Sequence, residues 1–206
     1  MTELFISALA TLFVVIDPPG CAPIYSSLTA GASAQQRRSM AIRSVLVAAA
    51  VLLFFAFLGK GMLAALGISL DAFRIAGGIL LFLIASEMVF EKRTERRNTR
   101  AQEVASKEIE DVSVFPMAIP MLAGPGSIAS VMLLTSQANG WAERSVVLAA
   151  LAIVLASTLV ALLAAGPLMR FLGDKLEAMI TRLLGVILAA LAAQYVIDGI
   201  RASFSL

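Results

Sequence analysis

Apolar residues along this chain gather into six long stretches separated by short polar connections, and helix-breaking clusters interrupt two of the six near their middle. The stretches cover residues 3–29, 40–58, 72–90, 112–137, 145–165 and 178–200. A bilayer's hydrocarbon core is about 30 Å thick and takes roughly 20 apolar helical residues to cross. The pattern therefore predicts an all-α membrane protein with six transmembrane helices. Asp17-Pro18-Pro19-Gly20 divides the first stretch into 4–16 and 21–30, and Ala123-Gly124-Pro125-Gly126 divides the fourth into 112–122 and 127–137. Each piece is too short to cross alone, which predicts that helices 1 and 4 are broken at mid-membrane. Lipid offers unwound backbone no hydrogen-bond partner, so such a break persists only where protein or a water-filled cavity covers it.

The two breaks belong to an internal repeat. A shift of 106 positions aligns Pro19-Gly20 with Pro125-Gly126, Arg38-Ser39 with Arg144-Ser145, and Leu70-Asp71-Ala72 with Leu176-Glu177-Ala178. After a two-residue insertion, Arg74, Gly77, Ile79 and Leu80 meet Arg182, Gly185, Ile187 and Leu188. Residues 1–90 and 112–206 thus read as two three-span repeats, joined by a charged linker or short surface helix at 91–111. Three is odd, so the second repeat is expected to be inverted relative to the first. Paired, interrupted segments in corresponding positions of inverted repeats point to a secondary transporter with its site between them.

Composition supports a bilayer as solvent: 60% of the 206 residues are hydrophobic and 15% charged, with a mean hydropathy of +0.92. The net charge of +2 comes with no basic run interleaved with aromatics, so nucleic acid is not an expected partner. Of sixteen Lys and Arg, twelve fall in the connections after spans one, three and five; Lys60, Arg74, Arg144 and Arg201 lie on the other side. The positive-inside rule then predicts both termini outside the cytoplasm. Met1-Thr2-Glu3 lacks the basic start of a cleavable signal, which predicts a retained first span. Cys21 is the single cysteine and histidine is absent. No disulfide, metal centre, cofactor or Ser-His chemistry is expected, and an enzyme is the least favoured class.

The chemistry sits at the breaks. Proline lacks an N–H and clashes with the preceding turn, and glycine favours non-helical backbone, so each cluster should end one half-helix and start another. Half-helices beginning near Cys21 and Ser127 would aim free N–H groups and positive dipole ends at the midplane. Those ending near Ile16 and Leu122 would aim carbonyl oxygens there. Donors facing acceptors suit a small zwitterion, with its carboxylate on a helix start and its ammonium on carbonyls. Asp17 is the one carboxylate well inside a span, opposite Ala123 in the second repeat. It can cap the following half-helix, act as countercharge or proton site, or do both. The candidate substrate-binding residues are Asp17, Pro18, Gly20, Cys21, Ala123, Gly124, Gly126 and Ser127. Pro19, Pro23, Pro120 and Pro125 are the candidate structural breaks, and Pro116 with Pro120 should make the first half of span four irregular. Ser26, Ser27, Thr29, Ser130, Thr135, Ser157 and Thr158 are expected to bond carbonyls of their own helices or to serve packing.

Asp17-Pro18-Pro19-Gly20-Cys21-Ala22-Pro23-Ile24-Tyr25 resembles the D-P-x-G-x-x-P-x-aromatic signature of the MarC family of bacterial integral membrane proteins. The segment from Ala118 to Ile128, with Pro120, Gly124, Pro125, Gly126 and Ser127, is similar to that family's second signature. The resemblance spans essentially the whole chain. It implies an inner-membrane protein grouped with LysE-type exporters, some of whose members are described as transporters of glycine and alanine. The expectation is a transporter of small neutral amino acids, in the exporting direction, by alternating access, coupled to a proton or sodium. A drug or metabolite exporter, after the multiple antibiotic resistance in the family's name, and a non-transporting scaffold are the rival expectations.

Overall fold

A computed structural model describes residues 1–90 and 111–204, apart from the side chains at 168–175 and 177. Of the linker expected at 91–111, residues 91–110 lie outside the described residues. Eight helical segments follow one another: α1 (Thr2–Ile16), α2 (Pro18–Leu28), α3 (Ala34–Ala65), α4 (Leu70–Val89), α5 (Ser113–Leu122), α6 (Pro125–Gln137), α7 (Gly140–Leu163) and α8 (Ala165–Phe204). Among the described residues there is no strand. Five stretches are long and apolar enough to cross a membrane: Thr2–Leu28 (α1 with α2), Ala34–Ala65, Leu70–Val89, Gly140–Leu163 and Ala178–Phe204. The pair α5 and α6, bent by 54° where they meet, makes a sixth if counted as one span.

Local chemistry sets the ends. The α3 helix opens on a reciprocal cap, in which Ser33 Oγ accepts from Gln36 N at 3.3 Å while Ser33 N donates to Gln36 Oε1 at 2.8 Å. It closes at Gly67, whose φ of 69° lets the Ile68 N–H reach back to Leu63 O at 2.9 Å; that reversal needs a left-handed residue, which glycine supplies without strain. Ser69 then caps α4 through Ala72 N at 3.1 Å. These caps extend α3 at both ends beyond the expected 40–58. Asp111 precedes α5, accepting from Ser113 N at 2.9 Å and pairing with Arg43 of α3. Hydrogen bonding from Ser113, with the Arg43 guanidinium nearby, holds the Asp111 carboxyl below the usual carboxylate range.

Packing places the interrupted helices inside. The α1 and α2 helices pack on α7, α5 and α6 on α3, α2 on α8, and α6 on α4. Large apolar side chains on the outer helices, such as Leu46, Phe54, Phe82, Leu83, Val160 and Val186, are exposed, as a lipid-facing surface requires. The most extensive helix pair is α4 with α8. It runs antiparallel, since Gly78 meets Ala192 and Val196, Gly185 meets Ala85 and Met88, and Gly199 meets Asp71 and Ile75. A Cβ on Gly78 would sit 2.8 Å from Ala192 O and 3.0 Å from Val196 N. With no hydrophobic drive between helices in lipid, this close backbone approach through small residues is the main source of their attraction.

Two alanine substitutions separate packing from helix propensity. Gly78→Ala forces backbone apart and should lower unfolding stability by about 1–3 kcal/mol. Gly61→Ala in α3, where nothing lies within 4 Å of the added carbon, should leave stability unchanged or raise it by up to about 1 kcal/mol. Thermal unfolding of both variants in the same detergent reads the difference.

Candidate functional site

The break between α1 and α2 is one residue wide. Asp17 adopts the left-handed conformation, with φ 59° and ψ 65°, and serves both as the C-cap of α1 and as the N-cap of α2. Its N–H donates to Phe13 O at 2.9 Å and its carbonyl accepts from Cys21 N at 3.0 Å. Its carboxylate folds back over the new helix, where Oδ1 accepts from Gly20 N at 3.1 Å. Gly20 therefore cannot donate to the Ile16 carbonyl, and the Cys21 thiol takes that acceptor instead at 3.4 Å. Asp17 is only 1% exposed.

This geometry corrects the expected start of the second half-helix. The helix begins at Pro18, not near Cys21, because proline is tolerated in a first turn whose N–H groups have no helical partner. Pro18 and Pro19 have no N–H, and those of Gly20 and Cys21 are taken by Asp17. No first-turn donor of α2 is left for a ligand. Pro23, expected as part of the break, lies inside α2, which continues to Leu28. Its effect is local: without an N–H at residue 23, the Pro19 carbonyl lacks its usual helical donor.

The second break is built differently. Proline disfavours helical backbone in the residue before it, and Phe115 (φ −124°, ψ 127°) and Ile119 (φ −128°, ψ 121°) are extended ahead of Pro116 and Pro120. The α5 segment is consequently wound but irregular, with wide-turn bonds from Met117 N to Val112 O at 3.2 Å and from Ala123 N to Ala118 O at 2.8 Å. Gly124, in extended backbone, is the N-cap of α6 and supplies no side-chain cap; Pro125 follows as the first helical residue. Ile128 N donates to Gly124 O at 3.0 Å. The Gly126 and Ser127 N–H groups have no acceptor among the described residues. Ser127 is 2% exposed, and one turn on, the buried Ser130 hydroxyl also has no described partner.

The two breaks lie side by side. A Cβ on Gly126 would fall 3.2 Å from Val15 Cγ1 and 2.5 Å from Ile84 Cδ1, so α6 starts directly against the last turn of α1, two residues before Asp17. Cys21, Ala22, Ala118, Leu122 and Ala123 are buried around them in the main core. The three glycines are dictated by close approach: the Asp17 carboxylate fills the space of a Gly20 side chain, the Pro120 carbonyl that of Gly124, and Ile84 with Val15 that of Gly126. Substituting them tests packing before binding. Of the intramembrane hydroxyls, Thr29, Thr135, Ser157 and Thr158 donate to carbonyls of their own helices at 2.7–2.8 Å, as expected. Tyr25, which sequence reasoning passed over as a signature aromatic, is buried and donates its hydroxyl to the Arg37 carbonyl, fastening α2 to the start of α3.

Comparison with known proteins places the chain in a family. The sequence profile described as MarC family integral membrane protein matches residues 2–204. The chain is 37% identical over 199 residues to the UPF0056 membrane protein MJ1677 of Methanocaldococcus jannaschii, covering 97% of each. It is 36% identical over 196 residues to the UPF0056 inner membrane protein YhgN of Escherichia coli, covering 95% of each. A UPF0056 membrane protein of Archaeoglobus fulgidus is 33% identical over 197 residues, 95% of this chain and 92% of the relative. No solved structure matches the chain. A profile match from the second residue almost to the last, with full-length relatives above 30% identity, makes this chain a member of the MarC family of integral membrane proteins.

Proposed function

We propose that the chain is a secondary transporter of small neutral amino acids such as alanine and glycine, working by alternating access around helices broken at mid-membrane. The observation that carries this reading is the pairing of a buried carboxylate, Asp17, with an uncapped helix start at Gly126 and Ser127 in the adjoining break. The two sides differ in sign. Asp17 and the Pro19 carbonyl form the side that attracts an ammonium, while the free N–H groups and positive dipole end of α6 attract a carboxylate. The small side chains of Ala22, Ala118 and Ala123 around the breaks favour a compact ligand over a bulky drug. Burial of Asp17, Cys21 and Ser127 describes a closed form, so a ligand would enter and leave only by relative movement of the halves.

Two inverted repeats are part of the same reading. In support, α3 and α7 start 106 positions apart, at Ala34 and Gly140. The packing also exchanges in pairs, with α1 and α2 on α7 matched by α5 and α6 on α3, and α2 on α8 matched by α6 on α4. Corresponding helices α4 and α8 cross antiparallel, as inversion requires. The positive-inside bias would put both termini outside the cytoplasm. Asp17 is the proposed coupling group for a proton or sodium, and export the proposed direction.

Exchange of radiolabelled alanine and glycine into proteoliposomes preloaded with the same amino acid tests the function. Uptake above protein-free liposomes is expected, and folded, inserted protein without uptake would refute it. Asp17→Asn isolates the charge, because asparagine tolerates left-handed backbone and still caps. It should fold like the parent and lose about 10- to 100-fold in apparent affinity, the range for a hydrogen bond to a charged group. Its remaining exchange should lose any pH dependence that the parent shows. Asp17→Leu, which loses cap and backbone compatibility together, should cost about 2–4 kcal/mol of stability.

A further inference from the structure

A second feature lies away from the breaks. At the turn from α2 to α3, facing the junction of α7 and α8, is an open cavity of about 460 Å³ whose walls include Tyr25, Ser26, Arg37, Arg38, Leu162 and Leu163. Among the described residues no carboxylate lines it. The described ion pairs are Arg43–Asp111 and Arg74–Asp71, so neither cavity guanidinium has a described acidic partner. The Tyr25 hydroxyl holds the Arg37 carbonyl, which fixes the first turns of α3 and with them the base of both arginines.

We infer that this cavity binds a phosphate-bearing anion. Arg37 and Arg38, consecutive in sequence and both lining the cavity, offer the forked donors that phosphate oxygens accept, and the Ser26 hydroxyl adds a further donor. Leu163 is exposed beside them and continues the cavity onto apolar surface. That combination suits the headgroup phosphate of an anionic lipid with its chain along the helices, the kind of ligand that basic pockets between membrane helices hold. The cavity also lies on the face carrying most of the Lys and Arg, where the positive-inside rule puts the cytoplasmic leaflet. The site is not a by-product of the internal repeat. The 106-residue shift places Glu143 and Arg144 opposite Arg37 and Arg38, and Glu143 is engaged in accepting from Asn139 N at 2.7 Å. The cation pair therefore exists on one side only.

Native mass spectrometry of the purified full chain tests it, with phosphatidylglycerol, phosphatidylcholine and inorganic phosphate as probes. The parent and an Arg201→Gln control should retain phosphatidylglycerol and not phosphatidylcholine. The Arg37→Gln/Arg38→Gln double variant should bind phosphatidylglycerol about 30-fold more weakly, the sum over two arginines at a charged surface. Excess inorganic phosphate that displaces the lipid would assign the site to the free anion, and phosphate that does not would assign it to the lipid headgroup. Should the double variant fail to fold, Ser26→Phe, which fills the cavity without changing charge, should abolish the same binding. Equal retention by the parent and a folded cavity variant, or no binding of either anion by the parent, would overturn the assignment.

Discussion

Hydrocarbon supplies no hydrogen bonds, so every peptide group that leaves a helix inside this protein must find its partner in the protein or in what the protein encloses. The organisation of the centre follows from that constraint. At the first break the solution is nearly complete. Asp17 reverses the chain in left-handed backbone, caps α1 with its N–H, and caps α2 with its carbonyl and carboxylate. The Cys21 thiol then takes the one carbonyl that the carboxylate has deprived of a donor. At the second break there is no such side chain, and Ala123 stands where the repeat would place an aspartate. Two N–H groups at the start of α6 remain, together with the Ser130 hydroxyl a turn away. The satisfied break holds the one buried aspartate among the described residues, and the unsatisfied one carries the donors.

Much of this was legible in the sequence, for reasons particular to proline and glycine. Pro116 and Pro120 bias Phe115 and Ile119 toward extended backbone, a local steric preference readable from sequence, although Ala22 stays helical ahead of Pro23 inside α2. Spans could be counted because about 20 apolar residues between polar turns have few other readings in a chain of this composition. Boundaries were less legible. Caps such as Ser33 with Gln36 extend α3 well past its apolar stretch, and apolar content does not register them. Pro18 and Pro19 look like the interruption itself, yet they form the first turn of α2, and Pro23 is absorbed inside it.

The site was legible as a pair of segments and not as a set of contacts. That Asp17 turns its carboxylate onto Gly20 depends on a backbone conformation that sequence pattern does not reveal. Gly126, a candidate substrate-binding residue, is where α6 meets Val15 and Ile84. The cavity at Arg37 and Arg38 was invisible because its walls come from distant parts of the chain, the end of α2 and the junction of α7 with α8. Its arginines read in sequence only as orientation signals.

Cys21 offers a direct probe of whether the two breaks form one occluded site that opens for a small amino acid. It is the single cysteine, it is fully buried, and it sits in the first turn of α2 beside Asp17. The measurement is its alkylation rate by a small maleimide in native membranes, with and without saturating alanine. Slow labelling that alanine and glycine retard severalfold, and that leucine leaves unchanged, is the expected result. A rate indifferent to alanine and glycine, in protein shown to be folded, would contradict it.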